Sequence, residues 1–117
     1  MAYRPIMNVM EIAATLVDRR TAQIAELNGC AVGISRMTAH AQWERHPAGD
    51  ELLHLVEGRL HLRVLDGDTT TETELGPGEL AVVPKGLWHS PQPIGEVTLV
   101  FVTPLEESEI SDEDDPR

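Results

Sequence analysis

The residues able to do chemistry in this chain lie in two short stretches. The first, Trp43 to Gly58, reads WERHPAGDELLHLVEG, and the second, Pro84 to His89, reads PKGLWH. Glu44 and His46 are two apart, so in extended chain their side chains point the same way. Glu51 opens an apolar run in which alternation puts it on the face of Leu53 and Leu55. An acid on an inward face is costly unless it is paired, hydrogen-bonded or metal-bound. His89 comes from the second stretch. Together Glu44, His46, Glu51 and His89 offer two imidazoles and two carboxylates, a mixed nitrogen and oxygen set that suits Mn, Fe, Ni, Co or Zn. The competing reading is structural: Glu44 is solvated, and Glu51 caps a loop or pairs with Arg45.

Such a set needs rigid strands to hold it, and the chain supplies turn signals at short intervals. Asn8 is the expected N-cap of a short helix, with Glu11 at the capping-box position and Val9, Ile12 and Leu16 on one face. Asp18-Arg19-Arg20-Thr21 is its expected end. Strands are predicted over 22–27 and 30–37, joined by Asn28-Gly29, a favourable turn pair. Residues 51–56 and 59–65 are predicted to form a hairpin about Glu57-Gly58, with turns at Asp66-Gly67-Asp68 and Gly76-Pro77-Gly78 around a strand over 69–75. A strand over 79–83, a loop through Pro91-Gln92-Pro93 and Gly95, and a strand over 97–102 complete the pattern. Seven to nine short strands at this spacing imply an all-β sandwich or barrel.

In the predicted hairpin Leu53, Leu55, Leu60, Leu62 and Val64 form one apolar face. His54 and His61 become cross-strand neighbours on the other face, as surface or subunit-interface residues. His40 shares the parity of Glu44 and His46 and is a candidate for the rim of the site. Trp43 and Trp88 are expected to pack at the barrel mouth. Cys30, the single cysteine, reads as a small core residue, and one thiol fits a reducing cytoplasm.

The 117 residues suit one domain, divided as a helical segment 1–21, a β-barrel 22–105 and an acidic, disordered tail 106–117. The net charge is −11, and the last twelve residues hold seven of the twenty acids and one of the nine bases. Neither part offers the basic surface that nucleic acid or an anionic membrane requires. No apolar run reaches the ~18 to 20 residues of a membrane span. The opening residues, with Arg4 as their one base and Glu11 in the apolar part, make a poor signal peptide.

With these residues in place, the chain resembles the cupin superfamily of small jelly-roll barrels. The first cupin motif runs Gly, five residues, His-x-His, three or four residues, Glu, six residues, Gly. His46, Glu51 and Gly58 fall at its second His, its Glu and its final Gly, with four and six residues between them. The second motif runs Gly, five residues, Pro-x-Gly, two residues, His, three residues, Asn; Gly78, Pro84, Gly86 and His89 match it in register. Thr38 stands at the opening Gly and Pro93 at the closing Asn. Glu44 stands where the first metal-binding His belongs, so the implied three-His, one-Glu set becomes Glu44, His46, Glu51 and His89. Otherwise Glu44 turns to solvent beside Arg45 or Arg36.

The resemblance implies a double-stranded β-helix with a divalent metal (Mn, Fe, Ni or Zn) in the barrel. It also implies an oxygenase or isomerase acting on a small organic acid or phenol, in a pocket shaped by Leu53, Leu55, Leu62 and Trp88. The alternative is a non-catalytic module that binds a small molecule or holds no metal. A homodimer formed through the outer sheet face, with Leu52, His54, Val56, His61 and Leu65, is the expected assembly.

Overall fold

The computed structural model describes residues 6–17 and 20–117. One helix, α1 (Val9–Ala14), precedes eight strands: β1 (Arg20–Leu27), β2 (Cys30–Met37), β3 (Trp43–Arg45), β4 (Glu51–Asp66), β5 (Thr69–Leu75), β6 (Leu80–Val83), β7 (Trp88–Pro104) and β8 (Glu109–Ser111). Asn8 caps α1 as expected, its side chain accepting from the Glu11 amide. The helix stops at Ala14, earlier than the sequence suggested; Asp18 and Arg19 lie outside the described residues. Ala13 is buried against β2, and the Arg36 guanidinium donates to the carbonyls of Ala13 and Leu16 at 3.3 Å each. A cation on the orphan carbonyls of a helix end fixes the helix to the barrel wall.

All strand pairings are antiparallel, in the order β1-β2-β7-β3-β8, while β4 pairs with β5, β6 and β7. Two long strands, β4 and β7, form the frame. They run beside each other from Leu52↔Val102 to Leu65↔Trp88. The result is the jelly-roll barrel expected.

The hairpin expected about Glu57-Gly58 does not form. Residues 51–66 are one continuous strand, and its register against β7 shifts on both sides of Glu57. This is a β-bulge, and it explains why the apolar face was inferred correctly from a wrong connection. A bulge inserts a residue and reverses the inward parity. Leu53 and Leu55 point inward before it, and Leu60 and Leu62 after it; all four are buried. Gly58 takes φ +94°, and a Cβ there would sit 2.5 Å from the Glu96 carbonyl oxygen, so the bulge requires glycine. His54 and His61 therefore are not neighbours. His54 lies opposite Leu80 and Val100, and His61 opposite Glu74 and Gln92.

The loop expected at Pro91-Gln92-Pro93 is instead the middle of β7. Proline cannot donate to a ladder. Here the Pro91 carbonyl accepts from the Ala41 amide, so Pro91, and Pro93 two residues on, turn their nitrogens away from β4. The missing donors therefore cost no bond to β4.

The largest departure is at the C-terminus. The segment expected as a disordered acidic tail contributes β8, which pairs Trp43↔Ser111, Glu44↔Ile110 and Arg45↔Glu109. Arg45 ion-pairs with Glu109 at 2.5 Å. Composition pointed to disorder, but the exposed edge of β3 offers backbone partners that composition does not register.

The core groups Leu53, Leu55, Leu60, Leu62, Leu75, Val83, Val97 and Leu99. Trp43 and Trp88, expected at the mouth, instead pack with Leu65 in a second cluster. Their strand neighbours Glu44 and His89 face the interior, so the tryptophans face outward. Each lies under a guanidinium, Arg63 over Trp43 and Arg45 over Trp88, both at 4.6 Å.

Candidate metal centre

Three strands, β3, β4 and β7, bring the site together. Glu44 is the central residue of β3 and lies opposite His89 of β7. His46 follows β3 directly, and Glu51 is the first residue of β4. The two motif segments are tied by main-chain bonds. The Gly86 amide donates to the His46 carbonyl at 3.1 Å, and the Lys85 amide to Asp50 Oδ1 at 2.8 Å. Leu87 N–H closes the Pro84 turn at 3.2 Å, with Gly86 at φ +79°, the left-handed third position that a type II turn requires. That turn aims His89 inward.

All four candidate residues converge. His89 Nε2 lies 2.8 Å from Glu51 Oε1 and 3.3 Å from Glu44 Oε1; His46 Nε2 lies 3.2 Å from Glu51 Oε2 and 4.0 Å from Glu44 Oε1. One donor atom from each residue falls in a set spanning no more than 4.8 Å. Glu44 thus faces the site, not solvent, and the arginines proposed as its partners are occupied: Arg45 by Glu109, Arg36 by Glu96. His46, Glu51 and His89 are buried, and Glu44 is about one-third exposed. His40 is exposed on an outer depression beside Trp43 and Arg63, apart from this set.

The outer nitrogens fix the rings. His89 Nδ1 donates to the Leu87 carbonyl at 3.0 Å, and His46 Nδ1 lies 2.7 Å from Ser108 Oγ. The Thr103 hydroxyl donates to Glu51 Oε2. Both Nε2 atoms are thereby turned to the common centre. His46 Nε2 is buried and, although Glu51 Oε2 is 3.2 Å away, has no partner in hydrogen-bond geometry among the described residues. A buried orphan nitrogen, a second imidazole and two carboxylates are a donor set able to hold a divalent metal ion, with ligand distances of ~2.0–2.2 Å.

Burial alone would push the Glu51 carboxyl up; the close His46 imidazole, the bond to His89, the His89 charge and the Thr103 hydroxyl outweigh it and hold the group at about 2. Burial alone would push His89 down; Glu44, Glu51 and the Leu87 carbonyl raise it to about 10. Without a metal, His89 is an imidazolium clamped between two carboxylates.

A cavity of about 570 Å³ opens in front of Glu44, His46 and Glu51, with His89 buried behind them. Leu53 lines it as expected, but Leu55 and Leu62 lie in the core behind, and Trp88 is on the outer face. Met37, Leu99 and Phe101 take their place, with Thr103 and Ser108 as polar wall. Thr103 and Phe101 were open to the alternation argument, being at the inward parity of Leu99 on β7. Ser108 carried no signal, because its segment read as disordered.

A family model for the cupin domain matches residues 35–103, more than half of the chain. The chain belongs to the cupin family. This cupin is 38% identical over 53 residues to the acireductone dioxygenase of Rhodopseudomonas palustris (strain TIE-1), which is 45% of this chain and 32% of that protein. The chain thus spans about a third of that relative's length. Among solved structures it is similar to a cupin-2 domain containing protein from Shewanella frigidimarina, with TM-score 0.69, 24% identity, and 85% and 94% of the two chains covered. It is also similar to hydroquinone 1,2-dioxygenase from Sphingomonas sp. TTNP3 with 4-hydroxybenzoate bound, with TM-score 0.66, 16% identity, and coverage of 82% and 71%. Both likenesses establish the fold. Among the described residues no helix is long and apolar enough to cross a membrane.

Proposed function

We propose that this cupin holds a divalent metal ion, Mn, Fe, Ni or Zn, through His46, Glu51, His89 and Glu44, and acts on a small organic molecule in the adjoining cavity as an oxygenase or isomerase. The observation that carries the reading is the convergence of four ligand atoms within 4.8 Å, one of them the unpartnered, buried Nε2 of His46. A bound divalent ion supplies a Lewis acid for a substrate oxygen or, if iron, a redox centre.

The remaining work falls to the chain. Leu87 and Ser108 hold the imidazoles in the tautomer that presents Nε2. Thr103 orients the Glu51 carboxylate. Leu53, Leu99 and Phe101 exclude water from the reacting end of the ligand and strengthen every charge interaction there. Glu44, the most exposed of the four, is the ligand best placed to swing aside for substrate or to take a proton from it.

The test is metal content of protein purified without tag or chelator, as wild type and as His89→Ala, followed by oxygen uptake with a small phenol and acid panel. Near-stoichiometric metal that is lost in His89→Ala supports the reading. Wild type that takes up none of the four ions on reconstitution contradicts it. One observation favours a second reading, a binding module without metal: His89 Nε2 already lies 2.8 Å from Glu51 Oε1 and 3.3 Å from Glu44 Oε1, so the imidazole can bridge the two carboxylates by itself. The same assay separates the two.

The assembly we propose is a cytoplasmic homodimer, formed on the outer sheet face where Leu52, Val82 and Val102 lie side by side. Sedimentation giving a monomer at micromolar concentration would count against it.

A further inference from the structure

The cavity before the metal ligands is charged on one side only. Four carboxylates line it, Glu44, Glu51, Glu106 and Glu107, and no Lys or Arg is among its described lining residues. Two arginines of the neighbouring strands are held elsewhere. Arg36 is bonded to the Ala13 and Leu16 carbonyls and to Glu96; Arg45 pairs with Glu109 and covers Trp88. Glu106 and Glu107 are exposed at the rim, on the segment between β7 and β8. That segment is pinned at the site, since Ser108 Oγ contacts His46 Nδ1 at 2.7 Å and β8 is paired with β3. The rim charges are therefore part of the cavity wall.

We infer that this cavity selects small uncharged or cationic molecules and turns away carboxylates and phosphates, with Glu106 and Glu107 as its charge filter. The inference rests on the reading of this cavity as the ligand site, and it removes the organic acids from the substrate classes that the family resemblance suggested. Recognition of an anion in a water-poor cleft calls for a fixed cation, most often a bidentate guanidinium. None is present here among the described lining residues. A divalent ion would be balanced by Glu44 and Glu51, and neutral histidines add nothing, so the two rim charges stay uncompensated. Without metal, even two imidazolium charges at His46 and His89 would face four carboxylates, so the cavity stays negative whatever the protonation of the rings. A cleft lined by one sign of charge focuses its field on whatever enters.

The test reads this field with a reporter thiol and needs no metal. Cys30→Ser removes the native thiol, and Ala31→Cys places one on the cavity wall opposite Thr103. Its alkylation rates with neutral iodoacetamide and anionic iodoacetate are compared with those of 2-mercaptoethanol. The iodoacetamide-to-iodoacetate ratio is expected to exceed the free thiol's by about 3- to 10-fold at low salt, and to fall toward it in ~0.5 M salt as the field is screened. Adding Glu106→Gln and Glu107→Gln should remove most of the excess. Gln23→Cys, exposed on β1, provides a second reporter should Ala31→Cys misfold. A ratio equal to the free thiol's, or one unchanged by the two Gln substitutions, overturns the inference. Because the alkylation is run without metal, failure of metal binding and failure of the charge filter are separate results.

Discussion

Two His–carboxylate groups on this barrel differ by only 0.2 Å in contact distance and by far more in everything else. On the inner face His89 Nε2 meets Glu51 at 2.8 Å; on the outer face His61 Nε2 meets Glu72 at 3.0 Å. The inner imidazole is fully buried, its other nitrogen is held by Leu87, and a second carboxylate and a second imidazole face it. The outer pair stands one-third to one-half exposed, with Arg63 3.7 Å from the same Glu72 oxygen. Water and salt screen the outer pair to the ~0–1 kcal/mol typical of surface ion pairs. Burial raises the cost of the inner charges until they must be matched, and a matched, convergent set is what a cation can replace. Distance alone does not make a site; enclosure and the number of facing donors do.

That contrast orders the expected effects. The largest belongs to His89→Ala, which should weaken Zn²⁺ binding by more than the ~10–100-fold typical of losing an outer-shell partner, read by competition with a chromophoric chelator. Equal affinity in the variant would mean that the inner cluster is no more a site than the outer pair.

The next is pH dependence. His89 is raised to about 10 from 6.5, so its contribution to metal-free stability is full below 6.5 and is lost as pH rises toward 10. Glu51 is lowered to about 2 from 4.5, so its contribution is present above 4.5 and is lost as pH falls toward 2. Chelator-treated protein should therefore gain most from this pair between pH 4.5 and 6.5. Melting curves from pH 3 to 10 check it, and His89→Gln should flatten the alkaline limb. Metal must displace the His89 proton, so calorimetry near pH 7 in buffers of different ionisation enthalpy should show about one proton released per ion bound.

Smaller still is Ser108→Ala. It frees His46 Nδ1 and should cost about tenfold in metal affinity while leaving the melting point of chelated protein nearly unchanged. The smallest effect belongs to the outer pair: His61→Ala should shift unfolding free energy by no more than ~0.5 kcal/mol in urea titration and leave metal affinity untouched.

The sequence made the candidate site residues legible because their signals are local. Glu51 announced itself as an acid on the face of Leu53 and Leu55, and Gly78, Pro84, Gly86 and His89 stood in motif register. The core face was equally legible, since alternation records burial whatever the connection. What escaped was non-local. Gly58 reads the same as a turn or as a bulge, and only its close approach to the Glu96 carbonyl decides. Pro91 and Pro93 read as loop, because which side of a strand lacks a partner is a property of the whole sheet. The acidic end read as disorder, yet it supplies β8, Ser108 and the rim glutamates through pairing with an edge that local composition cannot reveal. The outward tryptophans were misplaced for the same reason: the inner and outer faces of β3 and β7 follow from their mutual register, Glu44 opposite His89.

The central claim is that the four inner residues share one metal ion. Anomalous diffraction from crystals soaked in Zn²⁺ or Fe²⁺ and measured at the metal edge tests it directly. One strong peak is expected at ~2.0–2.2 Å from His46 Nε2, His89 Nε2 and a Glu51 oxygen, with Glu44 at or near the same distance. A peak only on the outer face, or none at the cluster with His89 still bridging the two carboxylates, would contradict it.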